Sequence, residues 1–331
     1  MKRVTAIILT FFMLLLLLGG CTQSGEPDNG KTSIVCTIFP VYDWTRQILG
    51  DETGDMELSL LLSSRIDLHN YQPSVTDIVK LSSCDLFVYV GGESDRWVDN
   101  AIRDALNPDM LVIDLLQVLG DAAKTEVITE EMDGQHVHGD GAGSSGEHGE
   151  EIDFDEHVWL SLNNARVFCI AIADALSLLD ADNADTYQRN LAAYVARLSA
   201  LENAYREAVN AAQVKTLLVC DRFPFRYLVD DYGIDYYAAF PGCSAESEAS
   251  FETIITLARK VDELELKNLI VTESADRSIA ETIISSTREK NQRILVMDSM
   301  QSVTSNDALS GLTYLSMMES NLSILKEALK S

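Results

Sequence analysis

Short, nearly continuous apolar runs alternate along this chain with segments whose apolar residues recur every three or four positions. The runs are too short for helices and rich in Val, Ile, Leu and aromatic residues, as strands buried on both faces are. In the first half they predict strands at Ser33–Phe39, Met56–Leu62, Asp85–Val90 and Met110–Leu115. Between these, Val41–Leu49, a segment capped by Thr76 and running through Ser82, and Trp97–Leu106 read as helices. Asp77 sits near the positive end of the second helix. In the second half, strands are expected at Thr216–Cys220, Ile234–Ala239, Leu269–Thr272 and Ile294–Met297. The matching helices are Pro224–Asp231, a segment running to Lys260, Ile279–Glu289 and Gly311–Lys330.

One segment breaks this rhythm. In Ala184–Ala212 the residues Leu191, Val195, Leu198, Leu201, Tyr205 and Val209 recur at helical spacing, with no internal Gly or Pro. At ~1.5 Å per residue such a helix is roughly 40 Å long, enough to run along a whole domain. The expected fold is therefore α/β. It has two lobes, each a mainly parallel sheet flanked by helices, joined by one long rigid helix. The boundaries read as 33–181 for the first lobe, 182–212 for the linking helix and 213–331 for the second lobe.

The start of the chain adds a location. Lys2 and Arg3 precede an apolar run, Ala6–Leu18, that is short for a membrane span and ends Gly19-Gly20-Cys21. This predicts a bacterial lipoprotein signal over 1–20 that leaves Cys21 as the lipid-bearing residue, followed by a polar tether over 21–32. The other reading is an uncleaved anchor with an incidental Cys. No later stretch reads as a span. The protein is thus expected on the extracytoplasmic side of the cell membrane, held by its lipid. The net charge of −27, from 25 basic and 52 acidic residues, argues against nucleic acid or anionic lipid as partner and suits a cation. The remaining cysteines, Cys36, Cys84, Cys169, Cys220 and Cys243, form no Cys-x-x-Cys pair and read mostly as small buried residues. Gly91-Gly92 lacks a surrounding phosphate-loop pattern, so nucleotide binding carries little weight.

The candidate chemistry lies in histidines and acids. Residues 133–156 hold six Gly, eight acids and three His, with no Lys or Arg. Such a segment has little to bury and reads as a solvated loop. It runs straight into His157-Val158-Trp159-Leu160, where a histidine looks held by packing. Imidazole with carboxylate suits a borderline divalent metal. The loop's His136, His138 and His148 then sample metal weakly, while His157 belongs to a fixed site. The pattern alone more often marks a plain surface loop beside a packed histidine. His69 follows the strand Met56–Leu62, at the carboxyl end where ligands gather in open α/β sheets. All five His lie between 69 and 157, so a metal held between the lobes needs oxygen or Cys sulfur from the second lobe. Asp221, Glu273 and Asp298 stand at strand ends there, with Glu246 and Glu248 in the loop after another strand.

Two segments carry a resemblance. DLHNYQPSVTDIVKLSSCDLFVYVGGESDRW resembles the Asp-x-His-x-(aromatic)-x-Pro segment of the metal-binding lipoproteins of ATP-binding-cassette importers, and DEHVWLSLNNA is similar to their Asp-Pro-His-Val-Trp-Leu segment. An acidic His-rich loop before the latter is typical of the zinc members, and the two-lobe plan with its long helix matches as well. The resemblance implies a binding protein that captures a divalent metal ion between its lobes and passes it to the membrane subunits of an ABC permease. It implies His69 and His157 as direct ligands. VMDSM resembles the family's Leu-Asp-Pro-Leu segment and points to Asp298 as a carboxylate ligand, although Asp298 also suits a cap for the next segment. Zinc members usually carry a third His where this chain has Arg222; a guanidinium stays protonated and binds no metal. Neighbouring Asp221 is one residue from that position, and Arg222 itself could pair with an acid. The loop favours Zn2+ as the transported ligand, while the missing histidine leaves Mn2+ or iron open. An adhesin role, attributed to some relatives, has no dedicated module here. No His-Glu-x-x-His helix or nucleophile elbow suggests an enzyme.

Overall fold

The computed structural model describes residues 31–50, 56–63, 66–125, 154–243 and 249–330. Expectations for Cys21, the tether up to residue 30, most of the acidic loop with His136, His138 and His148, and Glu246 and Glu248 lie outside the described residues.

The first lobe is a four-stranded parallel sheet of β1 (Thr32–Cys36), β2 (Met56–Leu60), β3 (Leu86–Tyr89) and β4 (Leu111–Asp114), ordered β2-β1-β3-β4. Around it lie α1 (Phe39–Leu49), α2 (Val75–Ser83), α3 (Trp97–Arg103), α4 (Leu115–Leu119) and α5 (Leu162–Leu179). The second lobe repeats the plan with β5 (Thr216–Arg222), β6 (Asp235–Phe240), β7 (Asn268–Thr272) and β8 (Arg293–Met297), again all parallel, ordered β6-β5-β7-β8. β3 and β7 are buried at every position, which explains their unbroken apolar runs. In each sheet the first strand's two neighbours lie on opposite sides. This reversal opens a crevice at the strands' carboxyl ends.

Between the lobes runs α6 (Ala184–Ala211), within one residue of the range that periodicity predicts. Its buried seam is Tyr187, Leu191, Tyr194, Leu198, Leu201, Tyr205 and Val209. Val195 packs half-buried against the same core, and Tyr187 and Tyr194 add to the seam that the periodicity marks. The seam packs on α1 and α5 of the first lobe and on α11 (Tyr314–Ala328) of the second. The Tyr205 hydroxyl donates to the Met318 carbonyl at 2.6 Å. One hydrophobic core therefore runs from Ile34 and Trp44 through Leu198 and Tyr205 to Met318, and a smaller cluster fills the outer face of the second sheet. A core shared this way ties the lobes together as one body rather than leaving them on a hinge.

Several local expectations shift. The second helix begins two residues earlier, because Ser74 rather than Thr76 is its cap: Ser74 and Asp77 form a reciprocal capping box. The helix expected at Pro224 starts at Arg226 as α7 (Arg226–Tyr232). α8 (Phe251–Glu263) and α9 (Ser278–Ser286) follow β6 and β7, and a short α10 (Ser305–Leu309) precedes α11. α5 has the length and apolarity to cross a membrane, contrary to the expectation that no later stretch does. Its apolar face is spent on the core, where Phe168, Cys169, Ile172 and Leu176 are fully buried.

Candidate metal centre

Two short turns carry the histidines. Asp67 caps a one-turn helix at Leu68–Asn70 by accepting the His69 N–H at 3.1 Å, and buried Leu68 pins the turn to the core. His157 precedes a similar turn at Val158–Leu160, all three residues of which are buried. That turn is held from the second lobe. The Trp159 indole donates to the Ser299 carbonyl at 2.9 Å, and the Tyr314 hydroxyl donates to the Trp159 carbonyl at 2.7 Å. Packing therefore fixes both imidazoles before any ligand arrives.

The rings meet with their Nε2 atoms 3.2 Å apart. Each opposite nitrogen faces a carboxylate: His157 Nδ1 lies 3.0 Å from Asp155 Oδ1, and His69 Nδ1 lies 3.1 Å from Glu156 Oε2 and 2.8 Å from Ser94 Oγ. A carboxylate can only accept, so both Nδ1 atoms carry the proton and both Nε2 atoms turn lone pairs toward one point. Two neutral acceptors facing each other at this distance repel unless a proton or a metal cation lies between them. Two nitrogens bound at ~2.05 Å to one tetrahedral zinc sit ~3.3 Å apart, close to the observed separation. The carboxylate–histidine pairs have the form of the outer partners that orient metal-binding imidazoles.

The electrostatics agree. Burial would raise the Glu156 carboxyl, but hydrogen bonds from His69 and from the Ser94 hydroxyl and N–H outweigh it and hold the group below its ordinary range. Burial would lower His69, but Glu156 and Asp67 overcome that and push it above its usual value despite the opposing Arg222 charge. The Gly91-Gly92 corner has its reason here. Gly92 has φ +84°, and a Cβ there would lie 2.8 Å from Glu156 Cγ, so glycine lets this carboxylate approach.

A third donor comes from the second lobe. The Sγ of Cys243, in the loop after β6, and the two histidine donors all lie within 4.8 Å of one another, the group of three possible metal donors found among the described residues. Gly242 lies against the His157 ring; a Cβ there would sit 2.8 Å from the Phe223 carbonyl oxygen and 3.3 Å from His157 Nδ1. Beside this group a cleft of about 390 Å³ opens between the lobes, bordered by Asp67, Asn70, Arg222, Gly242, Thr272 and Ser299 among others.

The carboxylates expected from the second lobe fall outside the three-donor group. Asp298 accepts the Met300 N–H at 2.7 Å, the capping role that was its other reading, while its own backbone pairs with Asn321. Burial, with help from the Glu273 charge, raises it to about 6. Asp221 accepts from the Thr272 hydroxyl, and Glu273 accepts from the Ser299 N–H and hydroxyl, both at 2.8 Å. Arg222 pairs with Asp67 across the lobes at 2.8 Å. The guanidinium thus braces the cap of the His69 turn. Asp155, Glu156, Ser94 and Cys243 were not singled out as site residues from the chain alone. The two acids were legible only as part of an acidic loop, although their position directly before His157 was a usable signal.

The zinc-binding lipoprotein AdcA of Streptococcus pneumoniae serotype 4 is 32% identical over 327 residues, 99% of this chain and 61% of AdcA. The chain thus spans about three fifths of that relative. The high-affinity zinc uptake system protein ZnuA of Bacillus subtilis is 27% identical over 325 residues, 98% of this chain and 96% of its own length. Among solved structures, the Zn(II)-bound ZnuA-like domain of S. pneumoniae AdcA superposes with a TM-score of 0.69 at 28% identity, covering 91% of this chain and all of that domain. The model of the ZnuA family, the periplasmic component A of the zinc-uptake complex, matches residues 34–328, and the chain belongs to this family.

Proposed function

We propose that this protein is the extracytoplasmic metal-binding component of an ABC importer. It captures Zn2+ between its lobes at His69 and His157 and releases it to the permease in the membrane. The observation that carries the reading is the pair of Nε2 atoms 3.2 Å apart, each on a ring whose other nitrogen is held by a buried carboxylate. Two converging imidazoles favour zinc over manganese, which prefers oxygen donors. The names of AdcA and of ZnuA from B. subtilis support zinc uptake. The sequence Leu18-Gly19-Gly20-Cys21, together with the lipoprotein relatives, supports a lipid anchor on Cys21.

Calorimetry on the full chain tests this reading. One tight zinc site is expected, with weaker binding of manganese and loss of the tight site in His157→Ala. Tighter manganese than zinc points to the manganese members of the fold, and no tight site for either removes the proposal. Asp298→Ala and Asp221→Ala separate the carboxylates from the histidines: small effects are expected, and a loss as deep as that of His157→Ala would return either one to the ligand set. Cys21→Ser is expected to leave the membrane fraction; retention there would refute the anchor.

A further inference from the structure

Arg222 stands where the sequence resemblance leads one to expect a third histidine, and a guanidinium binds no metal, yet a donor from the second lobe stands within reach of His69 and His157. We propose that Cys243 is that donor, and that its thiolate makes this a two-histidine, one-cysteine site with a strong preference for borderline metals over hard ones. The inference rests on the zinc-binding reading of the two histidines.

Three observations carry it. First, Cys243 Sγ and the histidine nitrogens lie within 4.8 Å of one another. A tetrahedral zinc with Zn–S ~2.3 Å and Zn–N ~2.05 Å needs N···S separations of ~3.6 Å, so a sulfur shift of about an ångström suffices. Second, His157 is fully buried and its Nε2 faces the Nε2 of His69, so the two imidazoles already converge beside the Cys243 loop. Third, Gly242 is a close approach of backbone to ring. A side chain there would meet the Phe223 carbonyl and the His157 imidazole, so the loop carrying Cys243 is built against this histidine. Arg222 cannot compete for the metal, because it is drawn to Asp67.

The chemistry follows. On binding, the sulfur gives its proton to solvent and takes the metal, while both imidazoles enter as neutral ligands. The thiolate adds one negative charge and a soft donor that favours zinc over manganese. The other described cysteines differ. Cys36, Cys84, Cys169 and Cys220 are buried, and burial raises each thiol well above its usual value, to about 12 for Cys36 and Cys84. They serve as inert internal references.

The test is cobalt substitution of the full chain. Co2+ bound to wild type should show a near-ultraviolet thiolate-to-cobalt charge-transfer band that Cys243→Ser lacks. Cys243→Ser should bind zinc more than about 100-fold more weakly, beyond the ~10–100-fold lost when an outer partner is removed. Manganese affinity should fall far less, and Cys243→His should recover zinc affinity without the band. Zinc should also slow alkylation of Cys243 in wild type, as mapped by mass spectrometry, a readout independent of how the variants fold. Tight zinc binding with no charge-transfer band and no protection of Cys243 would overturn the inference while leaving the zinc-binding reading intact. Failure of wild type to bind zinc would instead overturn that reading.

Discussion

Asp155→Asn removes one buried charge and little else. The main chain fixes residue 155 independently of its side chain: its N–H donates to the Lys124 carbonyl at 2.8 Å, and its carbonyl accepts the Tyr227 hydroxyl at 3.0 Å. The carboxylate oxygen that takes the His157 backbone N–H at 2.9 Å and ring Nδ1 at 3.0 Å has an amide counterpart in asparagine, so both acceptor contacts survive. What changes is the strength of the bond to Nδ1. A hydrogen bond to a charged group contributes ~1.5–3 kcal/mol, against ~0.5–1.5 for a neutral one. Only 3% of the Asp155 side chain is exposed, so solvent screens little of that difference. The imidazole becomes a poorer donor by about 1–1.5 kcal/mol, which predicts roughly 5- to 10-fold weaker zinc binding. The measurement is a competition titration against a chelator of known affinity, with circular dichroism and the metal-free melting transition as controls. Unchanged affinity in a folded variant would show that Asp155 neither orients nor polarises His157. The tautomer argument would then lose half its support.

Three further outcomes are expected. Gly92→Ala forces a side chain into the left-handed region and against Glu156, so it should cost ~1–2 kcal/mol of stability and weaken zinc by about 10-fold or more through His69; retained affinity would separate Glu156 from the site. Because His69 is held above its usual value, its protonated form stabilises the metal-free protein below ~6.5, and that gain is lost as pH rises through the raised value. Metal needs the neutral ring, so zinc affinity should begin to fall with decreasing pH while still above ~6.5; a midpoint clearly below 6.5 in calorimetry across pH would refute this. Burial raises Asp95 to about 7, so its ionised form costs stability at higher pH, and the cost fades as pH falls toward the unfolded value. Asp95→Asn keeps an acceptor for the Val90 and Gly91 N–H groups and should raise stability to denaturant at pH ~8 by at most about 4 kcal/mol, with the gain vanishing near pH 4.

Much of the molecule was legible in the chain because its signals are local. Unbroken apolar runs such as Leu86–Tyr89 mean strands covered on both faces, and the three-and-four spacing from Tyr187 to Val209 means one long helix. His157 stood out because it runs into the apolar Val158–Leu160, and His69 because it follows the strand Met56–Leu62 within the segment that carries the resemblance. Periodicity missed what depends on local side-chain hydrogen bonds, such as the Ser74–Asp77 capping box that moves the cap from Thr76 to Ser74. The second lobe's contribution was beyond the sequence for a deeper reason. All four of its parallel strands send a loop to the same edge, so Asp221, Cys243, Glu273 and Asp298 are equivalent by position along the chain. Which of them nears the histidines depends on the strand order β6-β5-β7-β8 and on partners far away in sequence. Met300 takes Asp298, Ser299 takes Glu273, Thr272 takes Asp221, and Gly242 lets the Cys243 loop close on His157. A metal site joins donors through space, and only the packing of one lobe on the other sets those distances.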